Sequence, residues 1–332
     1  MKAYIRQIEY HLPELVAENQ NERLKQKTGI ERRHICGDGE TAADLAVIAA
    51  EKILDKVDRN MIDYVLFCTQ SPDYLLPTTA CVLQERLQLS KYCGALDYNH
   101  GCTGYIYGLG LAKGLIESGQ AKNVLLLTGE TYSKYINSQD NAVLPLFGDA
   151  GTASLISAID TQKEGIYGIS YGTDGSGYKN LIVPVGGMRQ RYQDTEISIA
   201  TDKYGNVRTN QNLYMNGGAI MEFALERVPP MVDAILQENN LARQDIDYYV
   251  FHQANHFMLK SLQKICRLMK MPYWNDVCDY GNTVSNSIPI ALVDMMKENT
   301  TSTLNRVMLA GFGVGLSWGG CIVDLSQMKN NS

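Results

Sequence analysis

The run MIDYVLFCTQSPDY at residues 61–74 returns, altered but recognisable, as DIDYYVFHQANHFM at 245–258. LDYNHGCTG at 96–104 follows the first copy, and CDYGNTVSN at 278–286 follows the second. Each leads through a helical stretch into an apolar strand, NVLLLTGE at 123–130 and NRVMLAGFG at 305–313. The halves then end alike, in the glycine-punctuated runs GDAGTASLISAID at 148–160 and GVGLSWGGCIVDL at 313–325. Similarity through successive elements, in one order and at one large offset, points to a duplicated strand–helix unit. The boundary is expected near residue 165, with an N-terminal half over 1–165 and a C-terminal half over 166–332.

Within each half apolar strands alternate with amphipathic helices, as at 41–57 (TAADLAVIAAEKILDKV) and 219–238. That pattern predicts α/β layering around a largely buried sheet. The stretch after Cys102 differs. Gly104, Gly108, Gly110 and Gly114 each cost a helix roughly 1 kcal/mol against alanine, and Ile106, Leu109, Leu111, Leu115 and Ile116 fall on several sides. A helix apolar nearly all round belongs in the interior. It is expected between two sheets, beside its duplicate after Asn282, with its glycines admitting a second backbone.

The bulk numbers narrow the function classes. With 332 residues, 45% of them hydrophobic and 20% charged, the chain has the composition of a globular protein with ample core. A net charge of −6 opposes general nucleic-acid binding, since phosphate repulsion goes uncompensated. No run of about 18 apolar residues offers a membrane span, so no membrane insertion is expected. The opening MKAYIRQIEYHLPE is too charged for a signal peptide. Eight cysteines without a C-x-x-C pair read as reduced thiols, all but Cys102 packed in the core, in a cytoplasmic setting. No metal and no cofactor is called for.

Chemistry concentrates at three positions. Cys102 stands where a short strand breaks into a helix, and free N–H groups there, with the positive end of the dipole, favour thiolate over thiol. His252 ends the second copy of the first strand, and Asn282 lies near the place that Cys102 holds in the duplicated frame. A pseudo-twofold axis between the halves would bring both junctions together. Other readings stand beside these: a cysteine in an apolar stretch is commonly core, and Asn282 after Gly281 fits a turn or helix cap. His252 and His256 have the H-x-x-x-H spacing of a zinc helix, but residue 253 is Gln where such hydrolases carry a Glu base. GFGVGL at 311–316 leads into strand-like sequence, not the helix that a dinucleotide loop opens. Asp149 reads as a turn residue, and His100 as either a tuning or a capping histidine. Lys260, Lys264, Arg267 and Lys270 would form a basic stripe on one helix face, a docking surface or an ordinary solvated one.

Six runs carry a resemblance along nearly the whole chain: KTGIERRHI (27–35), GCTGYIYGL (101–109), FGDAGTASLI (147–156), HQAN (252–255), GNT (281–283) and GFGVGLSWG (311–319). Together they resemble the β-ketoacyl-ACP synthase III family of the thiolase-like superfamily. The resemblance implies a layered αβαβα sandwich of two pseudo-twofold-related halves. It implies a ping-pong decarboxylative Claisen condensation, in which Cys102 takes an acyl group from an acyl-CoA or acyl-ACP primer. Malonyl-ACP then loses CO2 and attacks the acyl-enzyme to give a 3-oxoacyl-ACP. His252 and Asn282 would hold the enolate, and the backbone N–H groups of Cys102 and Val314 the second oxyanion. Lys27, Gly217, Ala254 and Asn255 would touch substrate, while Lys260, Lys264 and Arg267 would dock the acyl carrier protein. A homodimer is implied, with Leu76 capping the partner's acyl pocket.

The chain departs from the pattern at Arg23, where well-known members carry an adenine-stacking tryptophan, and at Lys27, where they have an arginine. It also departs at Phe257, often arginine, at Leu76, often aromatic, and at Val314, usually the middle glycine of a run. These changes suggest a different primer or a carrier-bound donor, as in a secondary pathway. Two other functions remain in play: non-decarboxylative acyl transfer to an alcohol or amine with His252 as general base, and a non-catalytic carrier-protein partner on the same scaffold.

Overall fold

A computed structural model describes residues 1–299 and 304–328. Strands β1 (Lys2–His11), β2 (Tyr64–Cys68), β3 (Gly94–Tyr98), β4 (Asn123–Glu130) and β5 (Ala150–Ile159) form one sheet in the order β1-β5-β4-β2-β3. Strands β6 (Ile166–Thr173), β7 (Tyr248–Phe251), β8 (Val307–Gly313) and β9 (Ser317–Val323) form a second, in the order β6-β9-β8-β7. Both sheets run antiparallel, antiparallel, parallel from the β1 or β6 edge inward. β3 continues the first sheet in parallel, and a parallel bridge between Tyr249 and Tyr273 stands at the matching place in the second.

The helices are α1 (Glu22–Thr28), α2 (Ala42–Leu54), α3 (Thr79–Arg86), α4 (Gly104–Glu117), α5 (Gly217–Glu238), α6 (His256–Ile265), α7 (Val277–Tyr280) and α8 (Ser287–Glu298). Strand alternation sorts them into layers. On the outer face of the first sheet, Val65, Phe67, Leu125 and Leu127 pack against the alanine-rich side of α2. On its inner face, Leu66, Val124 and Leu126 meet Ile106, Leu109 and Ala112 of α4, with Ile288, Ala291 and Leu292 of α8. Val250, Val307 and Leu309 of the second sheet close that same cluster. The far face, Tyr249, Phe251, Met308 and Ala310, is covered by Phe223, Val228, Val232 and Ile235 of α5. The result is an αβαβα sandwich, a thiolase-like fold, with α4 and α8 at its centre.

Two details correct the sequence reading. Three of the α4 glycines are met by side chains rather than by a second backbone: a Cβ at Gly104 would strike the Cys68 sulfur, one at Gly108 the Tyr98 hydroxyl and Leu126, and one at Gly110 the Tyr171 hydroxyl, while Gly114 faces open space. Cys81 is exposed and Cys36, Cys93 and Cys278 are only partly buried, where core was expected; all eight cysteines are free. As its sequence suggested, the run at 311–316 leads into a strand and not a helix: 311–313 close β8 and 314–316 turn the chain into β9. No helix among the described residues is long and apolar enough to cross a membrane.

Candidate active site

Both halves send strand exits and helix starts to one place. β7 ends at Phe251, and the His252 N–H donates to Ala310 O at 2.8 Å, which extends the strand by one residue. Asn282 lies between α7 and α8, clamped to the other half by its own N–H to Leu146 O at 2.8 Å and by Gly148 N–H to its carbonyl at 3.0 Å. Cys102 sits on the turn that precedes α4. These three residues line one cleft of about 370 Å³, together with Phe147, Phe312 and Gly313. Lys27 and half-exposed Phe257 stand at its rim.

His252 is 2% exposed, and burial lowers its pKa to about 3, so the imidazole is neutral at physiological pH. Its Nδ1 lies 2.7 Å from Ser287 Oγ, which also lies 3.0 Å from Val284 O. The single hydroxyl proton can serve one of them at a time. Given to Nδ1, it leaves Nε2–H as a donor; given to Val284 O, it leaves Nδ1 protonated and Nε2 a base. The Phe312 ring meets the imidazole edge-on at 5.4 Å and 77°. Asn282 Oδ1 accepts the Val284 N–H at 2.9 Å, which leaves Nδ2 without an acceptor among the described residues. Val284 itself holds a φ of 56°, a left-handed conformation that a β-branched residue adopts only under constraint.

Cys102 differs from expectation. Burial pushes its thiol up to about 12, with the nearby Glu130 charge adding to the rise, while the N–H groups of Val314 and Cys102 pull it back. The helix dipole does not decide the matter, because α4 starts at Gly104 and Cys102, 4% exposed, is largely withdrawn from water. The packing is tight: a Cβ on Gly313 would lie 2.8 Å from the sulfur. Glu130, at 0% exposure, accepts from Gln70 N–H at 3.1 Å, Ser71 Oγ at 3.2 Å and Ser285 Oγ at 3.3 Å. Burial raises it to about 8, so at neutral pH the carboxyl is mostly protonated.

The other sequence candidates divide. Lys27, Gly217, Ala254 and Asn255 line the cleft, although Asn255 Oδ1 is engaged in capping α6 through Met258 N–H at 2.9 Å. Leu76 does not; it is 86% exposed on the loop after β2. The single-helix basic stripe does not form. α6 ends at Ile265, so Lys260 and Lys264 share the helix while Arg267, at φ 60°, and Lys270 lie beyond it. His252 and His256 do not share a helix either, since His252 is extended strand exit and His256 opens α6, bonded to Asn275 at 2.7 Å. Among the described residues no group of three or more His, Cys, Asp or Glu is placed to hold a metal ion. Asp149 is a fully buried anchor, accepting from the N–H groups of Cys36 at 2.8 Å and Ser133 at 3.0 Å. Sequence reasoning missed Ser287, Phe312 and Glu130. Phe312 and Glu130 lie inside runs quoted for other reasons and Ser287 one residue past another, and a Glu closing an apolar strand was a signal for Glu130.

Known proteins align with this chain throughout. Residues 96–175 match the family model for 3-oxoacyl-[acyl-carrier-protein] synthase III, and residues 236–325 match the model for its C-terminal part. A β-ketoacyl-[acyl-carrier-protein] synthase III from Clostridium perfringens is 33% identical over 310 residues, 93% of this chain and 92% of that one. A crystal structure of a 3-oxoacyl-(acyl-carrier-protein) synthase III superposes with a TM-score of 0.94 at 44% identity, covering 98% of this chain and all of the other. A 3-oxoacyl-(acyl-carrier-protein) synthase from Burkholderia xenovorans gives 0.89 at 33% identity, covering 99% of this chain and 95% of that one.

Proposed function

This chain belongs to the β-ketoacyl-ACP synthase III family and is a condensing acyltransferase, and from that premise we propose that Cys102 is its nucleophile in a two-stage decarboxylative Claisen condensation. The observation that carries the reading is the meeting of Cys102, His252 and Asn282 in one cleft, with two backbone N–H groups facing the sulfur.

In the first stage the Cys102 sulfur attacks the thioester carbonyl of an acyl-CoA or acyl-ACP primer. The carbonyl oxygen takes the negative charge against the Cys102 and Val314 N–H groups, and the primer's thiol leaves with the cysteine proton. In the second stage malonyl-ACP loses CO2, and its electron pair forms the new C–C bond at the acyl carbon. The Cys102 sulfur departs and the 3-oxoacyl-ACP is released. The enolate that precedes bond formation is held by Asn282 Nδ2–H and His252 Nε2–H. That role needs the Ser287 hydroxyl on Nδ1, with its bond to Val284 O given up. The opposite placement makes Nε2 a base, and this favours the second reading, acyl transfer from Cys102 to an alcohol or amine.

The acyl carrier protein is the macromolecular partner. Its docking surface is proposed to be Lys260, Lys264 and Arg267, all exposed, with Lys27 and Phe257 at the rim. Gly217, Ala254 and Asn255 would flank the pantetheine arm. The matched strand orders support a division into halves at 1–165 and 166–332, and eight free thiols suit a cytoplasmic location. A homodimer is proposed through the outer edge of β3, carrying Leu76 to the partner's cleft.

Incubation with a panel of acyl-CoAs and acyl-ACPs, read by intact mass, tests the first stage. One acyl group is expected on the native chain and none on Cys102→Ser. Release of CO2 from malonyl-ACP is expected to fall by roughly 100-fold or more in His252→Ala and Asn282→Ala. Acylation without any CO2 release would sink condensation in favour of heteroatom transfer.

A further inference from the structure

We propose that His100, Thr103 and Ser317 form a polarised hydrogen-bond chain that holds the Val314 N–H against the Cys102 sulfur; the proposal rests on reading Cys102 as nucleophile. Val314 sits at the tip of the β8–β9 hairpin in the C-terminal half, and Cys102 on a turn in the N-terminal half. Two oxyanion donors from separate segments act together only if something fixes one against the other.

The side chains supply a continuous path. Ser317 Oγ donates to Val314 O at 2.9 Å, Thr103 Oγ1 lies 2.8 Å from Ser317 Oγ, and His100 Nδ1 lies 2.7 Å from Thr103 Oγ1. Proton accounting fixes the direction. A carbonyl only accepts, so the one Ser317 proton goes to Val314 O. Ser317 Oγ must then accept from Thr103, and Thr103 must accept from a protonated His100 Nδ1. Every proton points toward the hairpin tip. The origin of the chain is immobilised as well. The His100 ring stacks on Tyr107 at 4.1 Å and 25°, Tyr107 packs on Tyr171 at 4.4 Å, and Cys68 Sγ donates to the His100 carbonyl at 3.0 Å. On its other side the tip is tied by Asp174 N–H to Leu316 O at 2.8 Å. Thr103 and Ser317 are almost wholly buried, so water does not compete for their bonds.

These are positioning residues, acting on the oxyanion donors and not on substrate. Thr103→Val keeps the shape and removes the hydroxyl, Thr103→Ser restores it, and His100→Phe keeps the stack while removing the donor. Misplacing a donor by a fraction of an ångström is expected to lower kcat and the Cys102 acylation rate roughly 10- to 100-fold in Thr103→Val and His100→Phe. The primer KM should stay close to that of the native enzyme, and Thr103→Ser should recover most of the rate. Thr103→Val combined with Ser317→Ala should be no slower than the slower single variant, because both cut one chain. Thermal melts establish that each variant is folded, and should the Thr103→Val protein fail to fold, His100→Phe, at a half-buried position, carries the test. Native rates in folded Thr103→Val or His100→Phe, with the native chain acylating at Cys102, overturn the chain alone. A native enzyme that takes no acyl group at Cys102 overturns the nucleophile reading along with it.

Discussion

At the scale of the residue, the position of Cys102 was legible and its protonation was not. GCTG announced a strand–helix junction, but the pKa of a thiol depends on what covers it, and the cover comes from Gly313, Phe312 and the neighbourhood of Glu130, all remote in sequence. The buried sulfur is a neutral thiol at rest, raised to about 12, so its thiolate fraction grows as pH rises. Iodoacetamide alkylation of Cys102 should therefore accelerate by about tenfold per pH unit from pH 6 upward. Glu130 modifies the upper end of that profile. Its carboxyl titrates near 8, and once charged it opposes the thiolate. Glu130→Gln should match the native rate at pH 6, where the native carboxyl already carries its proton, and exceed it at pH 9. Peptide-resolved mass spectrometry of the alkylated protein measures this, and a native profile that levels off below pH 7 would contradict the raised thiol.

At the scale of the element, the failures are as physical as the successes. Strands and central helices were readable because both copies keep their apolar alternation. The end of α6 was not, because no glycine or proline marks it. The helix closes in a Schellman turn, with Leu268 N–H to Gln263 O at 2.8 Å and Arg267 N–H to Lys264 O at 3.1 Å. The left-handed residue of that turn, ordinarily glycine, is Arg267. A side chain there costs about 1 kcal/mol, so Arg267→Gly should stabilise the fold by roughly 0.5–1 kcal/mol. If Arg267 also docks the acyl carrier protein, the same variant should raise the KM for malonyl-ACP several-fold while the KM for an acyl-CoA primer stays put. Denaturant unfolding and steady-state kinetics read the two effects separately. A lower midpoint would show that the arginine has contacts worth more than the strain.

At the scale of the whole molecule, the repeated frame explains how Cys102, His252 and Asn282, far apart in sequence, come to line one cleft. In the repeated frame Cys68 and His252 occupy the same strand exit, yet Cys68 donates to the His100 carbonyl while His252 faces the cleft. One copy spends this position on packing and the other turns it to the cleft, where the proposed chemistry would use it. What the single chain leaves open is equally informative. Among the described residues β3 pairs only with β2, and the loop that carries Tyr74, Leu75 and Leu76 is tied to β3 through Asp97, which accepts from Ala80 N–H at 2.6 Å; these three and Tyr92 are exposed at 58%, 80%, 86% and 99%. Edge strands flanked by bare apolar side chains invite pairing with another chain. A second copy related by a twofold axis would join the two β3 edges into one continuous sheet and bury those side chains. Sedimentation equilibrium should then give twice the chain mass at micromolar concentration. Leu76→Ala should keep the dimer and shift the preference between short and long acyl primers by roughly tenfold, because a pocket wall discriminates by the methylenes it contacts. Shortening Leu76 enlarges the space, so longer primers should gain. A monomer that acylates at full rate, or a Leu76→Ala dimer with the native primer profile, would show that the cleft is complete within one chain.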